Sequence, residues 1–282
     1  MINRKCFITG IKGTKLSAEE IFFLKKYKPW GVILFSRNLL NFRQIKRLTS
    51  HIKKIFKDKN YPIIIDQEGG RVNRLNHIIS LENFTPEYFG KIFIKDKKKF
   101  NLVYKLFVDK TSYLLKNLGI NINTVPVLDL RYKGSSNIIG DRSFSKNTKV
   151  ASNIGDLCIK YFANNSIGTV IKHIPGHGLA KVDSHHFTPT INKSLDYLKK
   201  NDFKVFKSKK SLFAMTAHVI FKKIDPNNTV THSKKLIKII RNQIKFKNLI
   251  ISDDLSMKSL KGSITENTKK AFNAGCNFAL HC

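Results

Sequence analysis

Eight short apolar runs recur along the chain, and each is followed by a longer and more polar stretch. The runs are rich in β-branched and aromatic residues, which favour strands. They occupy residues 5–11, 31–35, 62–66, 122–130, 168–173, 212–219, 249–254 and 277–282. Their hydrophobicity is continuous rather than alternating, which predicts parallel strands that are covered on both faces.

The stretches between these runs have helical character. Residues 17–27, SAEEIFFLKKY, place Ser17 and Glu20 at the spacing of a capping box, and apolar residues then follow in a helical rhythm. Eight strand-then-helix units within 282 residues predict an α/β fold, a TIM-type (β/α)8 barrel. A doubly wound sheet is the alternative, because eight parallel strands need not close.

The chain shows no low-complexity linker, short-period repeat or break in composition, so we expect a single barrel domain over residues 1–282. No apolar run approaches the roughly 20 residues that cross a bilayer, and the first residues lack the pattern of a cleaved signal. We therefore predict a cytoplasmic protein without a membrane partner. The cysteines Cys6, Cys158, Cys276 and Cys282 lack C-x-x-C spacing, which indicates reduced thiols rather than a zinc ribbon or disulfides.

The charge balance is strongly basic, with 52 Lys and Arg against 19 Asp and Glu, a net charge of +33. Such a field attracts nucleic acid or anionic surfaces. The lysines are spread along the chain, however, and no nucleic-acid-binding motif accompanies them. High Lys, Ile and Asn together are typical of an AT-rich genome. We favour this compositional interpretation and expect a monomer that binds a small molecule and no nucleic acid.

Polar residues stand at the ends of five of the predicted strands. They are Asp66, Asp129, Lys172 with His173, His218, and Asp253 with Asp254. In a TIM-type barrel the carboxyl ends of the strands and the loops after them form one rim, where active sites lie. The sequence therefore predicts a polar pocket at this rim.

The stretch KHIPGHGLAKVDSHH, residues 172–186, contains four histidines. In an extended loop Asp183 and His185 point the same way, so the carboxylate can orient the imidazole as a general acid/base. An Asx-turn at Asp183 with an exposed His185 is the alternative. A zinc site is a further hypothesis, with ligands among His173, His177, Asp183, His185 and His186. It is the less favoured one, because Pro175 and Gly176 prevent the usual pair of histidines on one helical face.

Two further segments carry candidate groups. In SDDLSM, residues 252–257, alternation allows only one of the two adjacent carboxylates to face the barrel axis. That carboxylate is a nucleophile, a general base or a helix N-cap. In IDQEGGRVNRL, residues 65–75, glycines allow a close approach to a ligand, and acids with arginines can bind a polyhydroxylated molecule.

Together and in this order, the blocks GVILFSRN, IDQEGGRVNRL, NTVPVLDL, IGDRSF, KHIPGHG with DSH, TAHVI and SDDLSM resemble the bacterial β-N-acetylglucosaminidases of glycoside hydrolase family three. The resemblance covers nearly the whole chain. It implies a cytoplasmic enzyme of cell-wall recycling that removes terminal β-linked N-acetylglucosamine from peptidoglycan fragments, leaving anhydro-N-acetylmuramic acid with or without its peptide.

The resemblance also implies the roles of individual residues. Asp253 corresponds to the nucleophile, His185 to the general acid/base and Asp183 to its partner. Sugar-binding positions correspond to Asp66, Arg74, Arg142, Lys172 and His173. This arrangement needs no cofactor and no metal. The alternatives are a histidine-loop zinc hydrolase and a truncated, inactive remnant whose basic surface binds nucleic acid.

A carboxylate nucleophile and a second group that exchanges protons are what retaining glycoside hydrolysis requires, and an imidazole can exchange protons at neutral pH. Two differences from the family concern the end of the chain. Asn277 stands where an Asp is usual, and family members continue into a closing helix beyond the eighth strand. We therefore expect a barrel that lacks this helix and an eighth strand whose outer face is poorly covered.

Overall fold

The computed structural model describes residues 4–184 and 186–282. The strands within these residues are β1 (Lys5–Thr9), β2 (Pro29–Leu34), β3 (Ile63–Ile65), β4 (Gln67–Gly69), β5 (Val72–Asn73), β6 (Ile122–Asn123), β7 (Gly168–Ile174), β8 (Thr190–Ile191), β9 (Phe213–Thr216), β10 (Ile220–Phe221), β11 (Leu249–Asp254) and β12 (Phe278–His281). The α-helices are α1 (Ala18–Tyr27), α2 (Phe42–Ile55), α3 (Pro86–Lys95), α4 (Lys97–Asn117), α5 (Thr148–Asn164), α6 (Leu195–Lys200), α7 (Asp202–Phe206), α8 (Lys234–Asn242) and α9 (Ile264–Ala274).

Eight of the strands form a closed barrel in the order β1, β2, β3, β6, β7, β9, β11, β12. All neighbouring pairs are parallel, and at least one helix connects each barrel strand to the next. The barrel closes where β12 pairs with β1, with Phe7 opposite Ala279. The predicted TIM-type fold is confirmed, and the doubly wound sheet is excluded because the first and last strands pair.

Each of the eight predicted runs overlaps one barrel strand, although β2 begins two residues before its run and β7 ends one residue after it. The fourth run, 122–130, is regular only over β6, because Pro126 has no N–H to donate to a strand ladder. Pairing resumes at Val127, which forms a parallel bridge with Lys172. The chain thus still follows the barrel wall to Asp129.

The helices begin where the sequence provides caps. The capping box predicted at Ser17 and Glu20 is present at the start of α1. A second one, Ser263 with Glu266, starts α9, which ends at Gly275 in the left-handed conformation, φ +114°. Gly275 lets the chain turn directly into β12.

The core follows the alternation of side chains along the strands. Ile8, Ile33, Phe213, Ile251 and Phe278 belong to a cluster that fills the barrel interior and has members from all eight barrel strands, while their neighbours along each strand pack in two larger clusters with the helices. In β12 the expectation of a poorly covered outer face was wrong. Ala279 is only 4% exposed and packs in the same cluster as Ala271 and Ala274 of α9, which cover this strand.

Two short two-stranded sheets lie outside the barrel, in the loops that follow the carboxyl ends of its strands. After β3 the chain forms the antiparallel hairpin β4–β5, and after β7 and β9 the short strands β8 and β10 pair in parallel. These two sheets bring side chains over the mouth of the barrel. Over the described parts of the chain, no helix has both the length and the apolar character needed to cross a bilayer.

Candidate active site

A cavity of about 400 Å³ opens at the carboxyl ends of the barrel strands. Five of the sequence-predicted site residues that we assigned to sugar binding line it, together with the predicted nucleophile. The wall consists of Ile33, Phe35, Arg37, Asp66, Glu68, Arg71, Val72, Arg74, Ile138, Ile139, Arg142, Lys172, His173, His177, Ser184, Met215, Asp253, Asp254, Met257, Leu280 and Cys282. The polar pocket predicted at the barrel rim is therefore present.

Lys172, in β7, is the centre of a buried cluster of charged side chains. Its Nζ lies 2.9 Å from Asp66 Oδ1 and 2.6 Å from Glu68 Oε1, and it donates to Thr124 Oγ1 at 2.9 Å. Arg142 donates from Nε and Nη2 to the two oxygens of Glu68, at 2.8 and 2.9 Å. The cluster joins the β4–β5 hairpin, β7 and the segment around Arg142 into one rigid wall.

The pairing keeps both carboxylates ionised. Burial alone would raise the pKa of Asp66, but Lys172 and Arg74, whose Nη2 lies 3.6 Å from Asp66 Oδ2, lower it well below its usual range. Burial is likewise outweighed at Glu68, where Arg142 and Lys172 lower the pKa to about 2. The side chain of Asp66 is 16% exposed and that of Glu68 only 1%. Asp66 is therefore the carboxylate that can accept hydrogen bonds from a ligand.

Asp129 holds His173 of β7 and His177 of the loop that follows this strand. Its Oδ2 accepts the backbone N–H of His173 at 3.1 Å and lies 2.7 Å from His173 Nδ1. Its Oδ1 accepts the backbone N–H of His177 at 2.6 Å. Burial would raise the pKa of Asp129, but His173 lowers it below its usual range. The carboxylate thus places a hydrogen on Nδ1 of His173 and fixes the orientation of its ring.

His177 lies beneath this loop rather than in contact with solvent. It is 2% exposed, and its Nε2 lies 3.0 Å from Ser184 Oγ. Burial and the neighbouring His173 lower its pKa to about 4. A neutral His177 therefore links the glycine-rich turn to the segment that contains Asp183.

Asp253 and Asp254 end β11 and differ in their surroundings. Asp253 Oδ1 accepts the backbone N–H of Asp254 at 2.8 Å. Burial would raise the pKa of Asp253, but His218, then His173 and Lys172, outweigh it and lower the pKa below its usual value. Asp253 is therefore a half-buried carboxylate that stays ionised.

Asp254 closes the turn after β11, although it also borders the cavity. Its Oδ1 accepts the backbone N–H of Ser256 at 3.0 Å, and its Oδ2 accepts the Ser256 hydroxyl at 2.7 Å. These bonds are what an Asx-turn provides. The pair thus contains one carboxylate engaged in a turn and one, Asp253, that is available to a ligand.

The structure describes Asp183 of the predicted acid/base pair but not His185. His185 lies outside the described residues. Ser184, beside it, lines the cavity, and the carbonyl of Asp183 accepts the backbone N–H of Phe187 at 2.9 Å and that of His186 at 3.2 Å. The roles of Asp183 and His185 stay predictions.

Several residues of the cavity were not assigned from the sequence. Glu68 was recognised only as one acid of its loop, although its buried position between two cations makes it the core of the wall. The Phe35 ring lies beneath Arg37 and Arg74, with centroid-to-Cζ distances of 4.8 and 5.7 Å. Phe35 ends the second apolar run, so its place at a strand end was the available signal.

The proposed zinc ligands do not gather into one group where they can be observed. Among residues 4–184 and 186–282, no three His, Cys, Asp or Glu side chains are arranged to hold a metal ion. His173 and His177 are bound by Asp129 and Ser184 instead, and His186 is exposed.

Comparison with known proteins gives a consistent result. Residues 5–282 match the N-terminal domain of glycosyl hydrolase family 3. The β-hexosaminidase of Neisseria gonorrhoeae (strain ATCC 700825 / FA 1090) is 33% identical over 291 residues, covering 100% of this chain and 79% of the relative. The β-hexosaminidase of Haemophilus ducreyi (strain 35000HP / ATCC 700724) is 34% identical over 98% of this chain and 80% of the relative.

Solved structures agree with the sequence matches. The crystal structure of native NagZ from Neisseria gonorrhoeae superposes with a TM-score of 0.91 at 32% identity, covering 100% of this chain and 82% of that chain. The same protein in complex with N-trifluoroacetyl-D-glucosamine gives a TM-score of 0.90 at the same identity and coverage. The chain therefore belongs to glycosyl hydrolase family 3, as a glycoside hydrolase of the β-hexosaminidase group.

Proposed function

We propose that the chain is a retaining β-N-acetylglucosaminidase whose single catalytic domain spans residues 1–282. Its substrate is a peptidoglycan fragment with terminal β-1,4-linked N-acetylglucosamine on anhydro-N-acetylmuramic acid, with or without peptide, in cytoplasmic cell-wall recycling. One observation carries the proposal. Asp253, half-buried and ionised, shares one cavity with Asp66, Arg74, Arg142, Lys172 and His173 in a member of this family.

The wall of the cavity suits a neutral, polyhydroxylated ring. Asp66 accepts hydrogen bonds from sugar hydroxyls, while Arg74 and Lys172 donate to sugar oxygens. His173, whose ring Asp129 holds in place, adds a further polar group to the wall around the sugar. NagZ from Neisseria gonorrhoeae binds N-trifluoroacetyl-D-glucosamine, an N-acylated amino sugar of the proposed kind.

In the proposed reaction Asp253 attacks the anomeric carbon and forms a covalent glycosyl-enzyme. His185 protonates the leaving oxygen and then removes a proton from the water that hydrolyses the intermediate, so two inversions give net retention. An unperturbed imidazole, with a pKa of about 6.5, can serve in both steps near neutral pH. Asp183 stabilises the imidazolium that forms after His185 accepts the proton.

The nucleophile is tested by replacing Asp253 with Ala and measuring release of the chromophore from an aryl β-N-acetylglucosaminide. We expect a loss of about 10³-fold or more in kcat, because no covalent intermediate can form. Azide should restore part of the activity by entering the space left by the carboxylate and give the α-glycosyl azide. Asp196→Ala, which removes an exposed carboxylate from α6, is the control and should leave the rate unchanged.

Activity that survives Asp253→Ala would refute the nucleophile assignment. Turnover that is lost with a chelator and restored by zinc would instead favour the histidine-loop zinc hydrolase.

The acid/base assignment is tested with two leaving groups in the variant His185→Ala. Protonation matters most when the leaving alcohol is a poor one, so the loss should be much larger for a sugar aglycone than for a dinitrophenolate. An equal loss for both substrates would contradict the role of His185 as the general acid.

A further inference from the structure

His218 is buried behind the nucleophile and makes two hydrogen bonds that involve both ring nitrogens. It is 0% exposed and lies two residues beyond β9. Its Nε2 is 3.0 Å from the carbonyl oxygen of Asp254, and its Nδ1 is 2.7 Å from Thr231 Oγ1. The ring thus spans from the chain after β9 to the turn that carries Asp253.

The positions of the hydrogens follow from the partners. A carbonyl oxygen only accepts, so Nε2 of His218 must carry a hydrogen. Burial lowers the pKa of His218, so the ring is neutral and Nδ1 is an acceptor. Thr231 therefore donates its hydroxyl hydrogen to Nδ1. Thr216, whose Oγ1 lies 2.8 Å from Thr231 Oγ1, donates in turn to Thr231.

The Nε2–H of His218 bonds to the carbonyl oxygen of Asp254, the residue directly after the nucleophile Asp253. Asp253 Oδ1 accepts the N–H of Asp254, so the carboxylate and the carbonyl held by His218 belong to the same turn. A shift of that turn moves the carboxylate relative to the cavity.

From this geometry we propose that His218 is a positioning residue for Asp253. By donating from Nε2 to the Asp254 carbonyl, it fixes the turn that aims the nucleophile, and Thr231 selects the tautomer that makes this donation possible. The inference rests on the proposed function, because it assumes that Asp253 is the nucleophile.

The charged and titratable groups that face Asp253 come from several elements. They are Lys172 and His173 of β7, His177 of the following loop, His218, and Cys282 after β12. Around His218 itself lie Asp253, Asp254, His173 and His232. The ring of His218 bonds to the turn of the nucleophile through its Nε2 hydrogen, and Asn267 Nδ2 also reaches this turn, 3.5 Å from the carbonyl oxygen of Leu255.

The decisive variants are Thr231→Val and Thr216→Val, which remove one hydroxyl each at nearly constant volume. Without Thr231 the Nδ1 atom loses its donor, and the tautomer with hydrogen on Nδ1 competes, which removes the donor from Nε2. Without Thr216 the bond from Thr231 to His218 remains. We expect kcat to fall at least tenfold in Thr231→Val with little change in KM, and to stay within about threefold of wild type in Thr216→Val.

A pH profile separates positioning from a loss of folded protein. In Thr231→Val the acidic limb of kcat/KM should move to higher pH, since a displaced carboxylate is less well stabilised. Partial misfolding would lower the height of the kcat/KM profile without moving its acidic limb.

His218→Gln, whose side-chain amide can still donate, should retain more activity than His218→Phe. Thermal unfolding of each variant confirms that it is folded.

Equal kcat values and unshifted acidic limbs in Thr231→Val and Thr216→Val would overturn the inference. The proposed function fails separately, when Asp253→Ala retains activity. If Asp253→Ala loses its activity while Thr231→Val and Thr216→Val have equal kcat values, only the role of His218 is refuted.

Discussion

At the residue scale, the chain places its buried charges in pairs that the sequence alone does not reveal. Asp66 and Lys172 were predicted site residues because each stands at a strand end. Their mutual contact, and the place of Glu68 between Lys172 and Arg142, depend on strands far apart in sequence. Strand-end position is a local property, whereas the choice of partner is set by the barrel.

Asp202, the first residue of α7, is a buried carboxyl outside the cavity. It is 2% exposed, and Tyr132 donates its hydroxyl to Oδ2 at 2.9 Å. A side chain at Gly176 would come within 2.8 Å of the Asp202 Cβ, so the residue packs directly under the histidine loop. Burial raises the pKa of Asp202 to about 7, despite the bond from Tyr132.

This raised pKa predicts a pH dependence of stability. Between about pH 4 and pH 7 the unfolded chain has lost the proton of Asp202 while the folded chain keeps it, so the free energy of unfolding falls as pH rises. At pH 7 the free energy of unfolding is lower by up to about 4 kcal/mol than at a pH where Asp202 is protonated in both states. Asp202→Asn should remove this slope, as measured by urea unfolding from pH 5 to pH 8. Parallel curves for the variant and the wild type would contradict the prediction.

At the element scale, the barrel strands were predictable because each is a continuous apolar run that must be buried on both faces. The pairs β4–β5 and β8–β10 were not predicted. They have only two or three residues per strand, and Gln67 or Asn73 carries no strand-like pattern. Such short pairs form because the neighbouring barrel holds their chains together, which no local sequence signal reports.

The loop after β7 depends on a close approach of two backbones. A Cβ at Gly178 would lie 1.9 Å from the carbonyl oxygen of Leu130, so only glycine fits. Gly178→Ala should push the loop away from the β6–α5 segment, destabilise the fold by about 1–3 kcal/mol and lower kcat/KM, because His177 and the following segment shift.

Gly13→Ala is the matched control for this substitution, since a Cβ there meets nothing within 4 Å. Denaturant unfolding and glycosidase assays of both variants provide the measurement. Equal behaviour of the two variants would show that the contact at Leu130 does not hold the loop.

At the scale of the whole molecule, the fold class and the location of the cavity were predictable from the sequence. The strong positive charge of the protein follows directly from its amino-acid composition. A net charge of +33 places many like charges on one globule. Their mutual repulsion destabilises the compact state, and salt screens it.

We therefore expect the melting temperature to rise by a few degrees between about 0.02 M and 0.5 M sodium chloride, where the Debye length shortens severalfold. At about pH 10, close to the pKa of lysine, the effect should shrink because part of the charge is lost. Differential scanning calorimetry measures both. A melting temperature that falls with salt would show that attractive ion pairs outweigh the repulsion.

The pairing of β1 with β12 bears on how the molecule is made. Phe7 pairs with Ala279 across about 270 residues of chain, so during synthesis β1 lacks this neighbour until β12 has emerged from the ribosome. Until β12 pairs with it, β1 is an uncovered strand edge, and so is β11 once it has been made, and both can pair with strands of other chains. The nascent barrel thus exposes strand edges that favour aggregation, and we expect chaperones to bind it until β12 pairs with β1.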